Sequence, residues 1–398
     1  MFELSIVLKN CNIVDVENGK VLQDSEVAIQ GERIASISSR RGTSDEKTID
    51  MKGQYVLPGL FNVHCNLCHE FPFSHQNLDE SAAATALRIY RAALSALEGG
   101  ITTLRTCGEI NRGDIYVRDY INKGKLIGPR ILASGKAITV SGGHGTGLGS
   151  TVADGPDEFR KAARYELAMG ADHLKIFITG GLAKTTETFE EKQMTREEIE
   201  AVTSVASSKG TYVVAHSGGS GAIRDAAEAG VASFEHAYSL DRETARLLKE
   251  KNCFLTPTLS VTRSPVWMKD NGMDSRRALA AGPAHLESIK NAVQAGVQIV
   301  TGTDLPPGDL NDGVNVTVRE VEFLVTAGLS PLEALRASTI RAAKLLRIDK
   351  EVGLIKESYY ADIVAVPENP LDDVKALQNI GFIMKGGKII KNQILRVD

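Results

Sequence analysis

One unit recurs through the middle of this chain: a helix-like stretch, a glycine-containing stop of small residues, then a short apolar run. The stops are Glu98-Gly99-Gly100, Met169-Gly170-Ala171, Lys209-Gly210, Ala229-Gly230 and Ala295-Gly296. Glycine just past a helix end takes the left-handed conformation that closes it. Four stops lead into Ile101-Thr102-Thr103-Leu104, Leu174-Lys175-Ile176-Phe177, Tyr212-Val213-Val214-Ala215 and Gln298-Ile299-Val300-Thr301. These runs are apolar, partly β-branched and of strand length. Pro129-Arg130-Ile131-Leu132-Ala133, Cys253-Phe254-Leu255-Thr256-Pro257, the run from Val56 and Ser233-Phe234-Glu235-His236 bring the strands to eight. Alternating strand and helix favours a parallel sheet. The unit spans roughly 240 residues, the scale of a (β/α)8 TIM-like barrel. An open doubly wound sheet is the competing arrangement.

The flanks read differently. Ser5-Ile6-Val7-Leu8, Asn12-Ile13-Val14-Asp15-Val16 and Glu26-Val27-Ala28-Ile29 are β-rich, and Asn18-Gly19 signals a turn. Near the other end, Asp362-Ile363-Val364-Ala365-Val366 and Phe382-Ile383-Met384 are strand-like, with Lys385-Gly386-Gly387-Lys388 as a hairpin turn. Residues 1–57 and 353–398 are therefore expected to pair into one small β-sandwich domain, and residues 58–352 to form the barrel. The 398 residues leave room for both.

Charge and cysteine usage narrow the setting. A net charge of −4 argues against nucleic acid or an anionic membrane as the main partner. No apolar run approaches the roughly 18 residues of a membrane span. The start, Met1-Phe2-Glu3-Leu4, lacks a basic region followed by a signal-like apolar stretch, so a cytoplasmic location is expected. Five cysteines, an odd number, fit reduced thiols better than a disulfide framework. The expected partners are a small-molecule substrate and further copies of the same chain.

The strand ends carry metal-binding residue types. His64, Lys175, His216, His236 and Asp304 each close or occupy such a run, and the C-terminal strand ends of a barrel converge on one mouth. In Asn62-Val63-His64-Cys65-Asn66, His64 and Asn66 share a strand face. A second imidazole at Asn66 would complete a chelate, whereas an amide oxygen is a poorer ligand for zinc-like metals. Lys175 allows two readings: an ammonium that reaches out to water, or an uncharged amine that takes up CO2 as a metal-holding carbamate. A carboxylate such as Asp304 can both ligate a metal and move a proton.

The chain resembles the amidohydrolase superfamily, in its imidazolonepropionase-like and prolidase-like branch. Leu57-Pro58-Gly59-Leu60 before His64, Gly353-Leu354-Ile355 with Ala361-Asp362-Ile363-Val364, and Leu329-Ser330-Pro331-Leu332-Glu333-Ala334-Leu335 with Ala337-Ser338-Thr339 carry the likeness. It implies a barrel with a β-sandwich and metal ligands at His64, carboxylated Lys175, His216, His236 and Asp304. It implies one or two divalent ions, zinc by preference, with Asn66 in the place of the remaining ligand. A subgroup that hydrolyses ureas and thiocarbamates is similar in carrying asparagine there. Asn62 and Glu357 also depart from the pattern, where aspartate and glycine are usual. His216 is followed by Ser217-Gly218-Gly219 and not by the glutamate of deaminase-like members, which favours an amide-type hydrolase.

The implied reaction is hydrolysis of an amide, carbamate or urea C–N bond by metal-activated water, with Asp304 as proton shuttle. The loop Ser141-Gly142-Gly143-His144-Gly145-Thr146-Gly147 is neither a P-loop nor a dinucleotide fingerprint. By resemblance, His144 in it is a catalytic candidate near the scissile carbonyl. Two alternatives stand beside this. A prolidase-like dipeptidase acting on Xaa-amino acid dipeptides needs a cation for the α-carboxylate, with Arg105 and Arg319 as candidates. A non-catalytic scaffold of the same fold rests on Asn66 alone. Cys65-Asn66-Leu67-Cys68-His69 has haem-attachment spacing but overlaps the strand that bears His64, and it is read as coincidence. His173 is expected one layer below Lys175 as a packed barrel residue. His69, His75 and His285 show no partner pattern, and Tyr238 is a weak candidate for substrate contact.

Overall fold

The computed structural model describes residues 5–39, 47–71, 76–270, 272 and 275–394. It opens with strands β1 (Ser5–Asp15), β2 (Lys20–Gln30), β3 (Arg33–Ser38), β4 (Lys47–Asp50) and β5 (Tyr55–Pro58). Strand and helix then alternate: β6 (Leu60–Cys65), α1 (Ala82–Glu98), β7 (Ile101–Thr106), α2 (Gly113–Asn122), β8 (Arg130–Leu132), β9 (Ile138–Thr139), β10 (Thr151–Val152) and α3 (Gly155–Ala168). The alternation continues with β11 (Leu174–Phe177), α4 (Arg196–Ser208), β12 (Val213–Gly219), α5 (Ser220–Glu228), β13 (Ser233–Ser239), α6 (Arg242–Glu250) and β14 (Phe254–Thr256). Helices α7 (Ser260–Arg263), α8 (Pro265–Asp270) and α9 (Arg276–Ala295) precede β15 (Gln298–Ile299). After α10 (Val316–Thr326), α11 (Pro331–Ala337) and α12 (Ile340–Leu345), the chain returns through β16 (Ile363–Val366), β17 (Phe382–Lys385) and β18 (Lys388–Asn392).

The middle is a parallel barrel. Strands β6, β7 and β8 pair in one arc, and β11 to β15 pair in order in another, with β9 on the outer edge of β11. Backbone hydrogen bonds close both seams. Val63 N donates to Thr301 O at 2.9 Å and Thr303 N to His64 O at 2.8 Å on one side. Asp172 N donates to Ala133 O at 2.7 Å on the other. Every residue of β6, β7 and β12 is buried, as expected for parallel strands covered on both faces. The stops behave as helix terminators, with positive φ at Gly100, Gly170, Gly210, Gly230 and Gly296.

The flanks join in one sheet, ordered β18-β17-β16-β5-β1-β2-β3, with β4 also on β1. The antiparallel pair of β5 and β16 ties the two ends of the chain together. This sheet encloses its own core, separate from the barrel's, including Leu8, Ile29, Val56, Ile363, Phe382 and Met384. Two runs read as separate strands in the sequence are here one strand, β1. Its register slips around Cys11, and Asn10 turns to φ 55°. That irregularity lets one half pair with β4 and the other with β5. Among the described residues no helix is long and apolar enough to cross a membrane.

Asp362 fastens the sheet to the barrel. It is buried and accepts from Arg130 at 2.6 Å and from Gly386 N at 2.8 Å, with Lys385 at 3.2 Å. Burial opposes its ionisation, but Lys385 and Arg130 prevail and hold its pKa below the usual carboxylate value. Asp362→Ala leaves two cations without their partner and is expected to cost about 3 kcal/mol or more. Because the folded pKa is depressed, this contribution is present above the unfolded carboxylate pKa and is lost as pH falls through the folded one. Thermal midpoints of the two proteins should therefore differ at neutral pH and converge in acid; equal midpoints at neutral pH would refute the role.

Candidate active site

The strand-end residues converge on one cavity of about 260 Å³ at the C-terminal mouth of the barrel. His64, Asn66, His144, Lys175, His216, His236 and Asp304 all line it. Within it, one ligand atom each from His64, His236 and Asp304 lies within 4.8 Å of the others. His216 stands outside that triplet but close by, its ring 4.6 Å from that of His236 and 4.3 Å from that of His144.

Each ring is oriented from behind. His64 Nδ1 lies 2.7 Å from a Glu235 carboxylate oxygen, so its Nδ1–H donates there and Nε2 keeps a lone pair. That Nε2 faces Asp304 Oδ1 at 3.1 Å. Two acceptors at that distance need a proton or a cation between them. His216 Nε2 lies 3.1 Å from Gly180 O, which leaves Nδ1 for a ligand. His236 Nδ1 meets the Thr258 hydroxyl at 2.6 Å. Burial pushes the His216 and His236 pKa values well below the usual imidazole range, keeping both neutral and able to coordinate. Burial works against the Asp304 carboxylate too, but His64 and then Lys175 outweigh it and bring its pKa down to about 2.

Lys175 does not reach out to water. It is 1% exposed, and its Nζ has no hydrogen-bond partner among the described residues. A buried ammonium left in that state is costly, whereas an uncharged amine there could take up CO2 as a carbamate able to share a cation with the imidazoles. With the facing pair of acceptors, this orphaned amine makes the site fit for a divalent ion and a carboxylated lysine. Asn66 has turned its amide nitrogen to Asp304, donating to the carbonyl at 2.8 Å and to Oδ1 at 3.0 Å.

The backbone is strained at the same places. His236, Ala237, Thr258 and Asp304 all have φ between 53° and 68°. Such conformations cost roughly 1–3 kcal/mol each for residues other than glycine and gather at functional sites. Neighbours hold them: His285 Nε2 contacts His236 O at 3.0 Å, and Asp304 N donates to His64 O at 2.8 Å.

Two sequence expectations, the arginine candidates for a substrate carboxylate, need correcting. Arg105 is no substrate anchor: it is wholly buried beneath the cavity and bonds Glu235 Oε1 at 2.7 Å and Ser233 Oγ at 3.2 Å. Arg319 lies outside the cavity, paired with Asp312 at 2.6 Å and with Glu322. Gly181 packs closely on the His144 ring, where a Cβ would lie 2.4 Å from it. His173 is buried and contacts Thr106 O at 3.0 Å, away from the cavity lining. Tyr238 lines the cavity, stacked 5.2 Å from His236. His69 lines it too, and His75 lies outside the described residues.

The sequence reading missed the parts played by Glu235, Glu187, Thr258, His285 and Arg277. Only Glu235 had a local signal, a lone charge in an apolar strand beside His236. Glu187 reaches His144 Nδ1 at 2.7 Å from 43 residues away. That pair fixes the ring, and a second proton on His144 would be balanced by Glu187.

Comparison with known proteins gives consistent findings. Residues 55–391 match the Amidohydrolase family. Ochratoxinase of Aspergillus niger is 28% identical over an alignment covering 94% of this chain and 84% of its own. A crystal structure of a prolidase complexed with N-methylphosphonate-L-proline superposes with a TM-score of 0.90 at 28% identity, covering 98% of this chain and all of that one. A Xaa-Pro dipeptidase with methionine bound in its active site gives a TM-score of 0.89 at 29% identity, with the same coverage.

Proposed function

The chain belongs to the amidohydrolase family, and we propose that it hydrolyses an amide, carbamate or urea C–N bond at the cavity around His64, His236 and Asp304. The observation that carries this is the facing pair of His64 Nε2 and Asp304 Oδ1 at 3.1 Å, two acceptors that a divalent cation would satisfy together. His64, His216, His236, Asp304 and a carbamate on Lys175 would hold the ion or ions, with Asn66 beside Asp304. Bound there, zinc or a similar ion would polarise the substrate carbonyl and acidify a water.

The chain's own residues do the rest. Asp304, kept ionised, takes the water's proton and later passes it to the leaving amine. Asn66, through its amide hydrogens, aims that carboxylate. His144, held by Glu187, donates a hydrogen bond to the carbonyl oxygen as charge builds on it. The likeness to a prolidase and a Xaa-Pro dipeptidase favours amides of amino acids among the possible substrates. The scaffold alternative has less support, because the ligand types point into one cavity.

The test is removal and return of metal. Dipicolinate treatment should abolish turnover on a panel of amides, ureas and carbamates, and zinc with bicarbonate should restore it. Elemental analysis should give about one or two ions per subunit. 13C-bicarbonate should label the protein at a carbamate that Lys175→Ala loses. Protein that binds no metal after reconstitution would refute the proposal.

A further inference from the structure

Arg277, at the start of α9, is one of the residues that line the cavity. Its two terminal nitrogens have different surroundings. Nη2 donates to Glu187 O at 2.6 Å and Gly181 O at 3.3 Å. Nη1 is buried and gives its hydrogens to no acceptor among the described residues. No ion pair joins Arg277 to a carboxylate among those residues. The nearby Glu187 carboxylate is already engaged by His144 and, at 3.0 Å, by Gln193. A buried donor on a permanent cation without an acceptor is costly, and a site usually keeps such a donor for a ligand.

Its place in the cavity fixes what that ligand is attached to. Gly181, whose carbonyl Arg277 binds, packs against the His144 ring, and His144 stacks on His216. The free arm of Arg277 therefore stands one loop away from the groups read as acting on the scissile carbonyl. Phe177, Leu148, Leu182, Val261 and Met268 add apolar wall to the same cavity. We propose that Arg277 binds a carboxylate on the substrate, so that the enzyme prefers N-acyl amino acids or peptides with a free carboxylate close to the amide cleaved. This rests on the reading of the cavity as a hydrolytic site.

The alternative is a purely structural clamp holding the Gly181–Glu187 loop, and substrate pairs tell the two apart. The metal-loaded protein is assayed on N-acetyl-L-amino acids and on the matching N-acetyl amines that lack only the carboxylate, such as N-acetyl-L-phenylalanine against N-(2-phenylethyl)acetamide. The acids should be favoured about 100-fold in kcat/KM, since a donor built for an absent group penalises the analogue. Arg277→Met should remove that preference: the acids should fall about 100-fold further than the amines, whose own fall measures what losing the Gly181 and Glu187 contacts does to His144. Arg277→Lys keeps the charge and should retain part of the preference, which decides the matter if the methionine variant fails to fold. Equal rates on both series in the parent protein, or an equal fall on both in Arg277→Met, would overturn the anchor while the hydrolase reading stands. No turnover of either series by metal-loaded protein would overturn both.

Discussion

Asp304→Asn is expected to keep its bound metal while turnover falls roughly 10²- to 10⁴-fold, the usual contribution of a positioned acid–base group. The substitution is nearly isosteric; an amide oxygen is the poorer ligand, but His64, Lys175, His216 and His236 remain, so with metal in excess the site should stay occupied. What is removed is the ability to take and return a proton. Without metal, burial opposes the charge but His64 and then Lys175 outweigh it and bring the carboxylate's pKa to about 2; a bound cation would hold it ionised in the same way. Asp304 also keeps about a quarter of its side chain open to the cavity, where a water and a leaving group can reach it. The amide cannot serve as a base at any pH short of denaturation. Single-turnover rates on the best substrate of the panel, with metal counted on the same sample, check the result. Metal retained with turnover lost fits the shuttle role. Full activity in the variant would remove Asp304 from the mechanism, and loss of both together would make it chiefly a ligand.

The residues legible from sequence share one property: each lies in, or a few residues after, a strand whose alternation with helices is local. His64, His216, His236 and Asp304 were found because a short apolar run ended at a metal-binding residue. A barrel brings all such ends to one mouth whatever the details of its loops. The residues that orient them come from elsewhere in the chain. Glu235 acts on His64, 171 residues away, and Glu187 on His144, 43 residues away. No periodicity records such contacts. The arginines show the same limit. Arg105 sits in a strand near the mouth but points into the barrel floor, whereas Arg277 is brought to the cavity by a helix whose sequence gives no hint of it. The left-handed backbone at His236, Thr258 and Asp304 is likewise a tertiary product, imposed on residue types that would not choose it. In the terminal sheet, a β-bulge at Asn10 and Cys11 joined what composition had separated.

Glu235→Gln should damage both the fold and the metal site. Glu235 is fully buried and accepts from Arg105 at 2.7 Å, Ser233 at 2.9 Å and Thr256 at 3.2 Å through one oxygen, and from His64 at 2.7 Å through the other. Burial opposes its charge, but Arg105 and His64 outweigh it and bring its pKa to about 2. Glutamine removes the charge facing a guanidinium that has no water to turn to, and an uncompensated buried charge costs about 3–5 kcal/mol. The new NH2 must also face one of two sides. Towards Arg105 it sets donor against donor. Towards His64 it donates to Nδ1, which moves the ring proton to Nε2 and blocks the lone pair meant for the metal. Metal affinity should then fall roughly 10- to 100-fold, the usual effect of losing such a support. Because the folded pKa of Glu235 is depressed, its contribution is present above the unfolded value near 4.5 and is lost as pH falls towards 2. Denaturant unfolding of metal-free protein at neutral and acid pH reads the first effect, and competition with a chromophoric chelator reads the second. A variant as stable as the parent at neutral pH would show that Arg105 is balanced by other groups. Unchanged metal affinity would show that the tautomer of His64 is set by something other than Glu235.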